Sequence, residues 1–388
     1  MPNPMIAQIR SLPDMVRQII PAYSASIQHN LTRAFCTSFD HLYLMGCGDS
    51  HHVSVATQLA FRVLSGIETE ALTAMQFARY TADTLHNPQR CLVAGASVSG
   101  EVSRTLEGML MGRKAGAQVM ALTATPTSRI GRAADVIVDT TQPPFKDPDE
   151  MVIPGVRSFT ANQIGLLLVA LHFGEQRGHL STTDVAHYRQ LIESLPDKMQ
   201  ETLLLNEETA AQLAQDWLDA SEFVFCGSGP TYAAALFSAA KMLEASGDSA
   251  LAQDMEEWAH LQYFAKNADT PTFILTAGER DLTRAREVVT AALAIGRRLA
   301  LIAPQEHCHH FPANVVHLPV ANGIPEMFQS ILSVIPGSLF AAYRAERLGE
   351  PYFRDFTGGR SKEGGGGISR IRTSETLALD YLKGAEHE

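Results

Sequence analysis

Two short stretches of this 388-residue chain set ionisable side chains one helical turn apart. In Lys241-Met-Leu-Glu244 the three-residue offset puts an ammonium and a carboxylate on one helix face. The surrounding run, AAALFSAAKMLEAS, is otherwise apolar, so the pair is either joined at an interface or lines a pocket. On an ordinary surface helix the same spacing is no more than a solvated ion pair. Asp254-Met-Glu256-Glu257-Trp258-Ala-His260 repeats the offset between Glu257 and His260. An imidazole that holds or releases a proton near neutral pH suits general acid–base work. Read alone, the segment is equally an exposed acidic helix start favoured by the helix dipole.

Two further stretches have the chemistry of anion sites. Gly48-Asp49-Ser50 and Ser97-Val98-Ser99-Gly100-Glu101 each follow an apolar run and precede a helical one. A strand-to-helix turn offers free backbone N–H groups and the positive end of a helix dipole, and serine hydroxyls add donors without bulk. Ser and Asp also cap helices routinely, which is the competing explanation for each turn taken singly. Two such turns on adjacent strands of one sheet favour an anion site.

These residues need a frame. Residues 4–35 read as an amphipathic helix broken near Pro21. HLYLMG (41–46), ETEALTA, RCLVAGAS (90–97), QVMALTAT and ADVIVDT (134–140) are short apolar strands separated by helices. That alternation predicts a parallel, doubly wound sheet. After mostly helical residues 180–220 the order starts again with EFVFCGSG (222–229), a helix, and strands PTFILTA, RLALIAP and VVHLPV. GCGDS in the first half matches CGSGP in the second, and two copies of one αβα sandwich is the economical reading. Each glycine turn then falls at the carboxyl end of its first strand, where open α/β sheets place ligands. The expected division is a helical segment 1–38, modules 39–178 and 220–349, a helical linker 179–219, and a tail 350–388 with four consecutive glycines.

Composition removes several function classes. Net charge is −11 and no basic run occurs, so no nucleic-acid partner is expected. No stretch reaches the roughly 18 apolar residues of a membrane span, and the N-terminus lacks the apolar run of a signal peptide. Cys36, Cys47, Cys91, Cys226 and Cys308 are odd in number and scattered, which predicts neither a disulfide framework nor a zinc ribbon and favours a reducing cytoplasm. Glu306-His307-Cys308-His309-His310 looks like a metal cluster, but adjacent ligands on a loop rarely converge on one ion. No metal and no other cofactor is expected.

Taken together, the motifs resemble the double sugar-isomerase-domain (SIS) family, which includes the isomerase half of glucosamine-fructose-6-phosphate aminotransferase and the fructosamine-6-phosphate deglycases. The resemblance covers roughly residues 40–350. Cys47-Gly48-Asp49-Ser50 stands where the family has Cys-Gly-Thr-Ser, and Ser97-Val98-Ser99-Gly100-Glu101-Val102 where it has Ser-Gln-Ser-Gly-Glu-Thr. Val156-Arg157-Ser158-Phe159-Thr160 resembles the Ser/Thr-rich segment that leads into the last helix of the family's first domain. The family's Lys-x-x-Glu and acidic-x-x-His are matched by Lys241 with Glu244 and by Glu257 with His260. The family's sixteen-residue spacing from Glu to His is kept.

The resemblance implies two tandem flavodoxin-like α/β modules, a homodimer, and a sugar phosphate held by Gly48, Asp49, Ser50, Ser97, Ser99, Gly100 and Ser158. It further implies that His260, supplied by either subunit, opens the sugar ring. Glu244 would shuttle a proton between C1 and C2, and Lys241 would steady Glu244 or the enediolate. The expected activity is isomerisation or deamination of an amino-sugar 6-phosphate. A fructosamine-6-phosphate deglycase, with Arg354, Arg360 or Arg370 holding an amino-acid carboxylate, and a non-catalytic phosphosugar sensor are the alternatives. Departures from the pattern are Asp49, Val98 and Val102, for which Ser103, Arg104 or Arg157 are possible replacement donors. The tail differs too: the aminotransferase ends with a Schiff-base lysine, and Lys362, the nearby candidate, stands in a glycine-rich setting that does not match. A glutaminase domain would place Cys after Met1, whereas residue 2 is Pro, so ammonia from glutamine is not expected.

Overall fold

The computed structural model describes residues 3–148, 151–360, 371–375 and 377–379. Three helices open the chain: α1 (Pro4–Arg10), α2 (Leu12–Asn30) and α3 (Arg33–Cys36). There follow β1 (His41–Gly46), α4 (Asp49–Ser65), β2 (Glu68–Thr73), α5 (Ala74–Tyr80), β3 (Cys91–Ala96), α6 (Ser103–Ala115), β4 (Gln118–Thr123), α7 (Arg129–Ala133), β5 (Val136–Asp139) and α8 (Val156–Arg177). Helix α9 (Thr182–Asp216) precedes β6 (Glu222–Gly227), α10 (Pro230–Ala245), β7 (Ser249–Asp254), α11 (Met255–His260), β8 (Thr272–Leu275), α12 (Leu282–Ala294), β9 (Leu299–Pro304), β10 (Val316–Val320) and α13 (Glu326–Leu348). Pro21 does not break its helix. It sits inside α2, and the interruption comes earlier, at Ser11. A proline removes one backbone hydrogen bond, which a long amphipathic helix with a packed face tolerates.

The chain divides into two compact units. One holds Val16–Pro143, Ser158–Glu193 and the residues from Phe356 on; the other holds the residues up to Met15, Pro144–Arg157 and Ser194–Asp355. In the first unit a five-stranded parallel sheet runs in the order β2-β1-β3-β4-β5. In the second, the order β7-β6-β8-β9-β10 is the same permutation, so the two halves share one flavodoxin-like topology. Every residue of β3 (CLVAGA) and of β9 (LALIAP) is buried, as strands covered by helices on both faces must be. In the first module Tyr43, Met45, Phe77, Val93 and Met109 build the core beneath α5 and α6. Its counterpart in the second gathers Val224, Met255, Trp258, Ile274 and Val288.

The duplication extends to backbone detail. Gly48 (φ 56°, ψ −129°) and Gly229 (φ 54°, ψ −130°) take the same positive-φ conformation just before α4 and α10. A Cβ on Gly46 would come within 2.6 Å of Ser50, and one on Gly227 within 2.6 Å of Thr231. The repeat therefore pairs Gly46-Cys-Gly48-Asp-Ser50 with Gly227-Ser-Gly229-Pro-Thr231, one residue away from the register that matching GCGDS with CGSGP suggests. Likewise Thr73 and Asp254 both cap the short helix that follows the second strand. Trp258 thus takes the place of Phe77 and is a wholly buried packing residue.

Candidate functional site

In the first unit three strand-to-helix turns meet at the carboxyl edge of the sheet. After β1, the amides of His51 and His52 return to the Gly48 carbonyl, at 2.9 and 3.0 Å, and α4 starts without a side-chain cap. Asp49 is the first helical residue, and its carboxylate lies 3.7 Å from the His52 imidazole. Ser50 is buried one position further on. Burial pushes the pKa of neighbouring His51 down, towards the neutral ring.

The turn after β3 presents Ser97, only 2% exposed, with a hydroxyl that has no hydrogen-bond partner among the described residues. A buried, unsatisfied hydroxyl is costly, so a native structure keeps one where something else completes it. Ser99 is exposed, and its Oγ accepts the Glu101 amide at 3.3 Å. Gly100 has φ +67°, and its amide closes the turn onto the Ser97 carbonyl at 3.1 Å.

The third turn, after β4, was not anticipated from sequence. Thr123 Oγ1 donates to the Val98 carbonyl at 3.2 Å, and Ser128 packs so tightly on Gly100 that an added Cβ would overlap its Oγ. Glu101 latches the two turns together: it accepts from the Arg129 amide at 3.0 Å and from the Arg129 guanidinium at 2.8 Å. Arg129 Nη2 also reaches Ser103 Oγ at 3.1 Å. The segment LTATPTSR has the same Ser/Thr-rich grammar as the other two turns, which is the signal that would have found it. Ser158 lies half-buried in the first turn of α8.

The cations suggested for this edge are engaged elsewhere. Arg104 and Arg79 both pair with Glu107, which is wholly buried. Arg157 donates to Ser11 Oγ at 2.7 Å and lies 4.7 Å over the Phe145 ring. Ser103 donates to the Ser374 carbonyl. The Ala378 amide reaches Glu107 at 3.2 Å, and Leu377 and Leu379 pack against the first module's core, so this part of the tail docks along α6. Lys362, Arg370 and the four glycines lie outside the described residues. Arg354 is held by the Ala245 and Pro351 carbonyls.

In the second unit the Lys241–Glu244 pair forms as its spacing predicts. Lys241 is wholly buried on α10, bonded to the Glu244 carboxylate and 4.6 Å from the Phe237 ring. Glu244 keeps 23% of its side chain exposed. His260 ends α11 with 69% of its side chain in solvent, and its ring meets Glu256 at 3.1 Å. His260 thus contacts the i,i+4 Glu256, a carboxylate that also meets Arg284 at 2.8 Å. Residues 305–310 form a short 3₁₀ helix. Among the described residues no group of three or more His, Cys, Asp or Glu side chains is gathered for a metal ion. Among the same residues no helix is long and apolar enough to cross a membrane.

Comparison with known proteins agrees with this architecture. Residues 37–168 match the SIS domain family. The glutamine–fructose-6-phosphate aminotransferase (isomerizing) of Gloeobacter violaceus is 27% identical over 356 residues, spanning 89% of this chain and 56% of that protein. Its Clostridium perfringens counterpart is 25% identical, over 82% of this chain and 51% of its own length. The chain thus spans about half the length of the curated relatives it matches. The C-terminal domain of glucosamine-fructose-6-phosphate aminotransferase from Francisella tularensis superposes with a TM-score of 0.80 at 20% identity, over 90% of this chain and 97% of that one. Glucosamine-6-phosphate deaminase from Thermotoga maritima gives 0.66 at 17% identity, over 91% and 96%.

Proposed function

We propose that this chain, whose residues 37–168 are a SIS domain and whose second half repeats that topology, is a phosphosugar isomerase or deaminase acting on an amino-sugar 6-phosphate. The observation that carries the reading is the buried hydroxyl of Ser97, unpartnered among the described residues, in the turn after β3, whose sheet neighbours β1 and β4 carry the other two turns. Turns of this kind hold phosphate and sugar oxygens through backbone N–H groups and small hydroxyls. Gly48, Ser50, Ser97, Ser99, Gly100 and Ser158 are assigned that role, and Asp49 faces a sugar hydroxyl or amine. Glu244 is the base that moves a proton between C1 and C2, Lys241 steadies it, and His260 opens the ring. The test is a scan of the purified protein against hexosamine and fructosamine 6-phosphates, reading sugar phosphate, ammonia and amino acid together. Ammonia or an aldose–ketose exchange supports the reading, whereas a released amino acid would replace it with a deglycase. Tight binding without turnover would replace it with a sensor.

Ser97→Ala is expected to leave thermal stability unchanged or slightly raised, because it deletes an unsatisfied hydroxyl. It should weaken sugar-phosphate binding by about tenfold, the worth of one hydrogen bond. Calorimetric titration with the substrate checks this, and unchanged affinity would remove Ser97 from the site.

A homodimer is part of the proposal. His260 is exposed beside Leu261, Tyr263 and Phe264, the last 76% exposed, a surface suited to a second copy of the chain. If His260 serves the partner's site, His260→Ala and Glu244→Gln are each inactive alone. Mixed and allowed to exchange subunits, they should recover roughly a quarter of wild-type activity, since half the dimers are mixed and each has one intact site. No recovery would place both residues in one subunit's site.

A further inference from the structure

A second crevice, of about 250 Å³ and open to solvent, lies in the second unit at the carboxyl ends of β8 and β9 and the start of α13. Gln329 lines it and is 1% exposed, yet neither Oε1 nor Nε2 has a hydrogen-bond partner among the described residues. An amide carries two donors and two acceptor positions, so leaving all of them empty is a large cost for a residue the core could replace with Leu. The other polar groups on the wall are Glu279, Glu306 and His307. Glu279 Oε1 caps α13 through the Glu326 amide at 2.9 Å. The His307 ring sits over Gly278, where any Cβ would collide with it. No Lys or Arg is among the described lining residues.

Two carboxylates without a lining cation repel a phosphate or carboxylate ligand and favour a cation. A primary amide matches a pair of adjacent hydroxyls, each of which both donates and accepts. Pro304, Ile324 and Pro325 supply apolar wall for the C–H face of a ring. We propose that this crevice is a second ligand site, for an unphosphorylated amino sugar. Its hydroxyls pair with the Gln329 amide, and its ammonium lies against the Glu306 and Glu279 carboxylates. The site is independent of the phosphosugar turns, which lie on the other module.

The test is calorimetric titration of the full chain with glucosamine, with glucose as the uncharged control. The wild type should bind one glucosamine per chain more tightly than glucose. Gln329→Leu, which keeps volume and deletes the unsatisfied amide, should fold with equal or greater thermal stability and lose about tenfold or more in glucosamine affinity. Glu306→Gln, on an exposed turn, should weaken glucosamine but not glucose, and it carries the test if the leucine variant does not fold. Turnover of sugar phosphates should be unaffected in both variants, so a failure of the proposed activity leaves this test standing. No glucosamine binding by wild type, or binding unchanged in these variants, would overturn the proposal.

Discussion

Glu244→Gln should abolish turnover and also weaken the fold, because this carboxylate serves both chemistry and charge balance. As the base that moves a proton between carbons, its loss is expected to lower kcat by about 10²- to 10⁴-fold. The same change removes the carboxylate that pairs with the wholly buried Lys241 ammonium. Removing one partner of a fully buried pair costs about 3–5 kcal/mol; partial exposure of Glu244, and the acceptor oxygen that Gln retains, reduce this to about 2–3 kcal/mol. A loss of activity in the single variant is therefore ambiguous until stability is measured beside it. Combining Glu244→Gln with Lys241→Met removes the stranded charge and should restore much of the melting temperature while turnover stays absent. Thermal unfolding and single-turnover assays on both variants separate the two effects. Retained turnover in either would exclude Glu244 as the base.

The second large effect is expected at Gly100. Its φ of +67° disfavours any side chain, and the position is walled in: a Cβ would sit 1.7 Å from Ser128 Oγ, 2.3 Å from Ser128 Cβ and 3.0 Å from Thr123 Oγ1. Rotating the hydroxyl cannot relieve a clash with Cβ, and Ser128 is itself tied to the first turn of α7 through the Gly131 amide at 3.4 Å. Left-handed strain of about 1–2 kcal/mol adds to overpacking of about 1–3 kcal/mol, so Gly100→Ala should cost about 2–4 kcal/mol. The turn carrying Ser97 and Ser99 must shift as well, and sugar-phosphate affinity should fall with it. Gly349→Ala is the internal control. Gly349 is left-handed, with φ +66° and ψ +25°, and has nothing within 4 Å of the added carbon, so only the strain of about 1–2 kcal/mol applies. If the two alanine variants melt together, packing against Ser128 is not what constrains the β3 turn.

Much of this architecture was legible in the chain. Among the described residues nine of the ten strands fall on the short runs read as strands, and the six central ones stand out because parallel strands covered on both faces must be largely apolar. The missing one, β7, reads SALAQD. It lies at the sheet edge, pairs only with β6, and is nowhere fully buried, so it carries no apolar signature to read. The Pro21 break failed for a related reason: a proline's local cost was outweighed by the packing of the helix around it.

The same division runs through the candidate site. Lys241 meets Glu244 because helical periodicity is local, and a three-residue offset determines which side chains face one another before any tertiary contact exists. The glycine turns are likewise local, since a positive φ calls for glycine wherever it occurs. What tertiary structure alone decided are contacts between residues distant in sequence. Ser128 closes on Gly100, Arg129 latches to Glu101, and Arg79 reaches across from α5 to the buried Glu107. Glu256, which His260 meets, is also held by Arg284 from a different helix. The empty amide of Gln329 and the empty hydroxyl of Ser97 belong to the same class. Whether a polar group is satisfied depends on every element packed around it, and the spacing of residues along one segment holds no information about that.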